Sequence, residues 1–452
     1  MYSKLYRNFL EPLWEERLRK RKTLEYERKL NKTQWLGTPE ILSMQWQSLL
    51  DLLRHSEQQC TYWKTVFKDL QLHADDICSY EDFRSLPITS KSTIRENYND
   101  MLASSFRGKT LQKATGGSTG EPLRFEYTHT SNEWRQAVTR RGYGWAGAYG
   151  GVKQAYIWGV ALQKESLFRK LKQELHHRVL RQKYFNSFDF GEQEMALCQS
   201  ALEKYSPDII VGYTNPLYNF AQYINAKTPA PRIRPRSIIT GAEKLHEFQR
   251  QEIENAFQAK VFNTYGSREF MLIAMECEQH NGLHISAENL FVEILREDGS
   301  PANPGEYGRI VITDLHNYGM PFIRYEIGDL AIQSDRACSC GRGLPMLDDI
   351  IGRSLDMIKT PGGKMIPGEF FPHLLKDFSC IQRFQVVQDK LDKLTIKIVS
   401  RCKMDTGELN LLKAEVLKVM GTGIDINYQF VDNIPLTKTG KHRVTISNIE
   451  NF

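Results

Sequence analysis

Residues 115–122 read Thr-Gly-Gly-Ser-Thr-Gly-Glu-Pro, within the stretch LQKATGGSTGEPLRFEY (residues 111–127). Glycines alternate with hydroxyl residues, so the backbone can turn tightly and its N–H groups and side-chain oxygens can converge on one anion. The candidate phosphate-binding residues are Thr115, Gly116, Gly117, Ser118, Thr119 and Gly120. The stretch lacks the Gly-Lys-Ser/Thr end of a Walker loop, and it is not a G-x-G-x-x-G segment that opens a helix. A polar hairpin turn before the strand LRFEYT is the open alternative.

Five further motifs follow this loop in the chain. They are SIITGAEKL (237–245), NTYGSREF (263–270), MPFIRYEIGDL (320–330), IIGRSLDMIK (350–359) and PLTKTGKHR (435–443). The first two place polar residues directly after apolar strand patterns, at the strand ends where open sheets bind ligands. Taken singly, each motif is explained as well by a turn. Together with the Gly-rich loop, the ordered set resembles the adenylate-forming superfamily, most closely the phenylacetate-CoA ligase branch with its capsular-polysaccharide relatives.

This resemblance implies an enzyme that uses ATP and Mg²⁺ to activate a carboxylic acid as an acyl-adenylate. The acyl group then passes to an acceptor, which is coenzyme A in the branch it most resembles. A carrier thiol, an amine or a sugar in polysaccharide biosynthesis stays open, and the sequence does not identify the acid. The alternative is a catalytically silent nucleotide-binding or scaffold relative, since three positions depart from the family pattern: Leu123 where a lysine is common, Arg268 where a hydroxyl residue is common, and Leu355 at the expected hinge.

The resemblance also implies roles for individual residues. Those that would surround the nucleotide are Gly241, Ala242, Glu243, Tyr265, Gly266, Ser267, Asp329 and Arg353. Tyr265 would stack on adenine, and Asp329 and Arg353 would hold the ribose. Three further residues would serve the chemistry. Glu269 would bind Mg²⁺ as a hard oxygen donor, Arg268 would contact the α-phosphate or pair with Glu269, and Lys441 would bridge the carboxylate and α-phosphate oxygens.

A second group of residues has the composition of a zinc site. Its members come from MECEQHNGLHIS and RACSCGRGL: Cys277, His280, His284, Cys338 and Cys340. Thiolates and an imidazole suit tetrahedral Zn²⁺. We expect Cys277, His284, Cys338 and Cys340 to form a closed structural site, with His280 as the competing ligand. Ordinary buried cysteines with a core histidine are the alternative.

Composition indicates a globular protein with more than one domain. The chain has 452 residues, 41% hydrophobic and 25% charged, with a net charge of +6. We expect a core domain at residues 1–352, with a helical lead-in at 1–100, and a small mobile C-terminal domain at 353–452. The basic run at residues 17–22 is flanked by Glu15, Glu16, Glu25 and Glu27, which favours a solvated helix face over a nucleic-acid partner. We find no transmembrane or signal segment, so we expect a cytoplasmic protein with reduced cysteines, and a homodimer stays open.

The hydrophobic patterns predict an α/β fold. Apolar runs alternate with helical patterns from residue 154 to 267, which is typical of a parallel sheet covered by helices on both faces. Between residues 282 and 347 strand patterns alternate with turns, which predicts an antiparallel region. The last hundred residues combine strands with one helix, as expected for a small α+β domain. Aromatic residues in YIWGVALQ (156–163) and YTNPLYNFA (213–221) could line an acyl pocket or pack in the core.

Overall fold

The computed structural model describes residues 1–115, 123–159, 167–187, 190–227, 233–353, 358–362, 365–366, 370–375, 378, 380–402, 404–421, 423–435 and 443–449. Several of the predicted positions lie outside these described residues: Gly116, Gly117, Ser118, Thr119, Gly120, Leu355 and Lys441.

The helices occupy the first hundred residues and the connections between the later strands. Their bounds are α1 Tyr2–Leu5, α2 Thr23–Thr33, α3 Thr38–Gln59, α4 Thr61–Asp69, α5 Tyr80–Arg84, α6 Lys91–Glu96, α7 Tyr98–Met101, α8 His129–Trp145, α9 Leu167–Leu180, α10 Glu192–Tyr205, α11 Thr214–Lys227, α12 Glu247–Phe257, α13 Phe370–Leu375 and α14 Thr406–Met420. Two π-helical stretches, Tyr6–Leu10 and Leu13–Leu18, continue from α1, and short 3₁₀ turns lie at Ala74–Asp76 and Ser104–Phe106. None of the described helices is long and apolar enough to cross a bilayer.

The strands begin after the helical lead-in. Their bounds are β1 Leu111–Ala114, β2 Arg124–Tyr127, β3 Gln154–Trp158, β4 Gln182–Asn186, β5 Ile209–Tyr213, β6 Ser237–Gly241, β7 Lys260–Ser267, β8 Met271–Met275, β9 Leu283–Ile285, β10 Leu290–Leu295, β11 Tyr307–Asp314, β12 Tyr325–Gln333, β13 Met346–Arg353, β14 Ile358–Lys359, β15 Met365–Ile366, β16 Ile381–Lys390, β17 Lys393–Ser400, β18 Asp425–Phe430 and β19 Thr445–Ser447.

Eleven of these strands form one mixed sheet in the order β10-β11-β12-β13-β9-β8-β7-β6-β5-β3-β4. Strands β4, β3, β5, β6 and β7 are mutually parallel, and the pairs from β7 to β10 are antiparallel. The parallel half packs against α10, α11 and α12 on one face and against α8 and α2 on the other. The predicted α/β class is therefore confirmed, and its parallel and antiparallel parts share a single sheet.

The C-terminal part has a separate sheet, in the order β18-β17-β16-β19, and its own buried cluster that extends from Ile358 to Ile426. Helix α14 contributes Leu412, Val416 and Met420 to this cluster. Cys380 and Cys402, at the two ends of the β16–β17 hairpin, form a disulfide. Our expectation of eight reduced cysteines was wrong for this pair, because antiparallel pairing brings two cysteines 22 positions apart to a Cα–Cα distance of 5.3 Å. The exact domain boundary at residue 353 stays a prediction.

Two local expectations were also wrong. The sequence EERLRKRKTLEYERKL (residues 15–30) suggested one helix, but helical turns end at Leu18, Lys20 adopts a left-handed backbone with φ of +52°, and α2 begins at Thr23. Strand β4 was not predicted, since its sequence QKYFN lacks an apolar alternation. As the edge strand of the sheet, it needs less apolar surface than a central strand.

The helical lead-in is fastened to the antiparallel half of the sheet by a buried guanidinium. The Arg324 side chain is 3% exposed and donates to both carboxylate oxygens of Glu293 at 3.0 and 3.1 Å. It also donates to the backbone carbonyls of Arg84 and Leu86, at the end of α5 and just after it, at 2.6 and 2.7 Å. Each of the three nitrogens of this buried charge therefore donates to an acceptor, as burial of a charge requires.

We predict that Arg324→Leu lowers the free energy of unfolding by about 3–5 kcal/mol, because the buried Glu293 carboxylate loses its bidentate guanidinium partner and keeps only the hydrogen bond from the Tyr80 hydroxyl among the contacts described. Urea unfolding measures the change. The control is Arg296→Leu, which removes an exposed bidentate pair with Glu306 and should cost at most about 1 kcal/mol. Equal decreases in the free energy of unfolding for the two variants would contradict the conclusion that the buried Arg324–Glu293 pair stabilises the fold.

Candidate functional site

The carboxyl ends of the parallel strands form one edge of the sheet, and several predicted site residues lie there. Strand β6 ends at Gly241, and β7 continues to Ser267. The rings of Trp158, at the end of β3, and Tyr213, at the end of β5, lie 4.2 Å apart at the same edge. Both rings are only partly buried, so they could form a wall of a pocket at this edge rather than part of the core.

The TGAE segment makes a sharp exit from β6. Gly241 is buried against Thr264, and a Cβ at this glycine would lie 2.5 Å from Thr264 Oγ1. Ala242 adopts a left-handed backbone with φ of +68°. The Glu243 carboxylate accepts a hydrogen bond of 2.9 Å from Asn215 N at the start of α11. A carboxylate at a helix N-terminus is favoured by the unpaired N–H groups there, so Glu243 fixes the geometry of the turn.

Tyr265, Asp329 and Arg353, which are far apart in sequence, meet at the junction of the two sheet halves. Tyr265 is 8% exposed, and its hydroxyl donates to Asp329 Oδ2 at 2.8 Å. Asp329 is the Cα partner of Arg353 in the β12–β13 ladder. Gly328, immediately before Asp329, has φ of +87°, a backbone that glycine adopts readily. The structure therefore joins Tyr265 to Asp329 through their side chains and Asp329 to Arg353 through backbone pairing, and the roles of all three residues stay predictions.

Glu269 and Arg268 lie in the turn between β7 and β8 and face different surroundings. The Glu269 side chain is buried, and Tyr325 donates a hydrogen bond of 3.4 Å to its Oε1. Arg268 is exposed and makes no ion pair within the described part of the chain, either with Glu269 or with another acid. The predicted alternative of an Arg268–Glu269 pair is therefore absent, which leaves this guanidinium available to an anionic ligand.

The Gly-rich stretch joins the two strands of the β1–β2 hairpin. At the base of the hairpin, Thr115 N donates to Leu123 O at 2.9 Å, and Leu123 N donates to Thr115 Oγ1 at 2.9 Å. Leu123, which stands where relatives commonly have a lysine, is completely buried in the core. Thr115 thus closes the base of the loop, which agrees with the hairpin alternative that the sequence left open.

Lys113 on β1 is a candidate site residue that sequence reasoning missed. Its Nζ lies 5.0 Å from the centre of the Tyr127 ring. Partial burial, and secondly the positive charges of Arg135 and Arg268, lower the pKa of the Lys113 ammonium. Arg135 is neutralised by Asp314 at 2.5 Å, whereas neither Lys113 nor Arg268 has an ion pair among the described residues. Two unneutralised cations near one another favour an anion, and the position of Lys113 two residues before the loop was the available signal.

The four predicted zinc ligands converge. Ligand atoms of Cys277, His284, Cys338 and Cys340 all lie within 4.8 Å of one another. Cys277 Sγ is 3.6 Å from Cys338 Sγ, and Cys340 Sγ is 3.4 Å from His284 Nε2. For Zn–S and Zn–N bonds of about 2.3 and 2.05 Å, tetrahedral geometry puts two sulfurs about 3.8 Å apart and a sulfur and a nitrogen about 3.5 Å apart. The side chains present therefore fit a closed tetrahedral zinc site.

The surroundings of the two histidines distinguish them. His284 is buried, which lowers its pKa to about 4, and its Nδ1 lies 3.4 Å from Leu344 O. Such a contact orients the ring so that Nε2 faces the cysteines, as outer-sphere hydrogen bonds do in metal sites. His280 instead contacts the Glu276 carboxylate at 3.2 Å and packs edge-on against Phe262. His284, not His280, is therefore the imidazole in the cluster.

The C-terminal part of the chain matches a known family. Residues 358–448 match the family model described as the CapK C-terminal domain. Protein CapK of Staphylococcus aureus is 23% identical over 419 residues, which cover 91% of this chain and 90% of that protein. Phenylacetate-coenzyme A ligase of Escherichia coli is 26% identical over 385 residues, which cover 82% of this chain and 85% of that protein.

Among solved structures, 2-hydroxyisobutyryl-CoA ligase is similar across most of both chains. In its postadenylation state with R3-HIB-AMP it gives a TM-score of 0.70 at 19% identity, covering 89% of this chain and 88% of the other. In the complex with 2-HIB-AMP and CoA in the thioesterification state, the TM-score is 0.58 at 18% identity, covering 91% and 90%.

The fold is that of the adenylate-forming CoA ligases, with a large mixed sheet and a C-terminal domain. The homologues of this chain include CapK and the phenylacetate-CoA ligases, so the resemblance expected from the motifs is confirmed.

We predict that the purified protein carries one zinc ion per chain, measured by metal analysis. Because the metal would join segments about sixty residues apart, Cys338→Ser and His284→Ala should each lose the zinc and lower the melting temperature. His280→Ala is the matched control and should keep the zinc content of the wild type. A wild-type protein without zinc, or zinc that depends on His280, would contradict the assignment.

Proposed function

We propose that this protein activates a carboxylic acid with ATP as an acyl-adenylate, releases pyrophosphate, and transfers the acyl group to an acceptor. The observation that carries the proposal is the hydrogen bond between the Tyr265 and Asp329 side chains, with Arg353 paired to Asp329 through the backbone, at the junction of the two halves of the sheet. An aromatic ring and a carboxylate side by side suit a nucleoside, because the ring offers a stacking surface for the base and the carboxylate accepts from the ribose hydroxyls. The homology to phenylacetate-CoA ligases supports the same reaction class.

The triphosphate would lie over the β1–β2 hairpin. Backbone N–H groups and hydroxyls of residues 115–120 would contact the β- and γ-phosphates, as the sequence predicts. Lys113 and Arg268, neither of which has an ion pair in the described part of the chain, would supply the positive charge that Leu123 does not. Charge-assisted hydrogen bonds to phosphate are stronger than neutral ones, so these two side chains would raise affinity and position the α-phosphate.

Glu269 is a buried carboxylate that would serve as a Mg²⁺ ligand. The Tyr325 hydroxyl donates to it, and it lies beside Arg268 in the β7–β8 turn. Bound Mg²⁺ would neutralise charge on the phosphate oxygens. The protein itself would orient the acid against the α-phosphorus and exclude water from the adenylate.

Lys441 would complete the adenylation site from the small C-terminal domain, which we place at residues 353–452. Its ammonium would stabilise the negative charge that develops where the carboxylate attacks the α-phosphate. Rotation of this domain about the segment that contains Leu355 and Asp356 would then admit the acceptor. The solved ligase with a similar fold has been captured with an acyl-adenylate alone and with an acyl-adenylate plus CoA, which supports a two-step order.

Coenzyme A is the acceptor that the homologues favour, and a carrier thiol, an amine or a sugar of polysaccharide biosynthesis is the competing class. The requirement for ATP favours a cytoplasmic location. A silent nucleotide-binding or scaffold protein is the second candidate function, favoured by the departures at Leu123, Arg268 and Leu355. The pairing of Tyr265 with Asp329 speaks against a scaffold that binds no nucleotide, and turnover separates a silent nucleotide-binding protein from an active ligase.

We predict that Lys441→Ala lowers acid-dependent ATP–pyrophosphate exchange by at least about a hundredfold, because it removes the cation that acts on the developing charge. Binding of ATP, measured by calorimetry, should change little. Lys438→Ala alters the same segment and serves as the control, with exchange close to wild type. Wild-type protein that binds ATP but exchanges no pyrophosphate with a broad panel of acids would support the silent alternative instead.

We predict that Lys113→Met weakens ATP binding by roughly tenfold or more, since one hydrogen bond to a charged group contributes about 1.5–3 kcal/mol. Calorimetry of wild type and variant with ATP and with AMP tests this, and the loss should be larger for ATP. Lys109→Met removes an exposed lysine that contacts only Ser105 O at 3.3 Å, and it should bind both nucleotides normally. An equal loss for ATP and AMP would place Lys113 away from the β- and γ-phosphates.

A further inference from the structure

The first helical segment and α9 together expose an unusual amount of apolar surface. We call this surface the apolar face and define it by Leu5, Phe9, Leu13, Leu18, Leu171 and Leu175, each 47–67% exposed. Tyr2 OH donates to Val179 O at 2.7 Å, and the Arg181 guanidinium lies 5.3 Å from the Tyr2 ring centre, so the start of the first segment contacts the end of α9. Exposed apolar side chains are normal when they are scattered singly, whereas several on one segment and the helix beside it indicate an interaction surface.

The first helical segment has its polar and apolar sides reversed relative to an ordinary surface helix. The Glu11 side chain is buried, with the residue only 4% exposed, and it accepts a hydrogen bond from Arg140 Nη1 at 2.9 Å. Arg140 Nε donates a second hydrogen bond to Glu27. Tyr6 packs inward beside Glu11, over the backbone of Gly150 and Gly151. A surface helix normally points charged residues outward and apolar residues inward. Here the inward salt bridges hold the segment so that its leucines and Phe9 point away from the protein.

The rim of the apolar face carries an excess of positive charge. Residues 1–22 contain seven basic and three acidic side chains. The three acids are neutralised by ion pairs, Glu11 with Arg140, Glu15 with Arg21 and Glu16 with Arg28. The remaining basic residues of the segment make no ion pair within the part of the chain that the structure describes: Lys4, Arg7, Arg17, Arg19, Lys20 and Lys22. Apolar side chains flanked by free lysines and arginines are the pattern of helices that lie in a membrane interface.

We propose that the apolar face docks this protein on an anionic lipid bilayer. Phe9 and the exposed leucines would enter the boundary between headgroups and acyl chains, and the surrounding lysines and arginines would bind the lipid phosphates. Charge distinguishes this occupant from a second copy of the chain. In a two-fold interface the same patch meets itself, so the free cations of the two copies would repel one another.

Sedimentation of the full-length protein with lipid vesicles tests the proposal. We expect binding to vesicles of equimolar phosphatidylcholine and phosphatidylglycerol, weak binding to phosphatidylcholine alone, and release at high salt. The double variant Phe9→Ser with Leu171→Ser should bind about tenfold or more weakly, since it removes two exposed apolar anchors. The variant Arg17→Gln with Lys22→Gln should lose affinity for the anionic vesicles by a similar factor.

The control is Leu197→Ser, which replaces a leucine that is 71% exposed on α10, outside the apolar face. It should bind anionic vesicles like the wild type, and circular dichroism and melting should show that all variants are folded. Binding that is insensitive to the Phe9 and Arg17 variants, or no binding to anionic vesicles, would overturn the proposal. A wild-type dimer that Phe9→Ser with Leu171→Ser dissociates, without vesicle binding, would assign the face to a subunit interface and also overturn it.

Discussion

Strand β7 is the constraint on which the site depends, because it pairs in parallel with β6 and in antiparallel with β8. A strand with two kinds of neighbour joins the parallel half of the sheet to the antiparallel half without a break. The polar residues after β6 and β7 therefore lie beside β12 and β13, although some sixty residues or more separate them in sequence. The hydrogen bond from Tyr265 to Asp329 crosses this junction. If the two halves were separate sheets, no backbone pairing would fix the distance between Tyr265 and Asp329.

Periodicity and motif order predicted much of this arrangement. Alternating apolar runs predicted β3, β5, β6 and β7 with the helices between them. The grouping of Asp329 with Arg353 depends on a strand register that contains two irregularities, which no local pattern encodes. The motifs predicted which residues belong to the site, but their contacts depend on strand pairing between segments that are distant in sequence.

The features that the sequence did not predict share a physical cause, which is tertiary context that overrides local pattern. The basic run at residues 17–22 is exposed, as the sequence predicts, whereas Glu11, earlier in the same segment, is buried by a salt bridge to Arg140, a residue on a different helix. For Thr115 the sequence leaves a phosphate ligand and a hairpin turn open, and its hydroxyl closes the base of the hairpin. Lys113 was not predicted as a site residue, because a lysine in a short strand is usually solvated. In each case the partner lies on another element, beyond the reach of a window along the chain.

The crosslink between Cys380 and Cys402 makes the small four-stranded sheet a covalently closed unit. The two cysteines flank its β16–β17 hairpin, so the ends of the hairpin stay joined when other contacts loosen. Closing a loop of this size lowers the conformational freedom of the unfolded chain by about 3 kcal/mol. If this part of the molecule moves as proposed, the disulfide and its own buried cluster would hold it together during the movement.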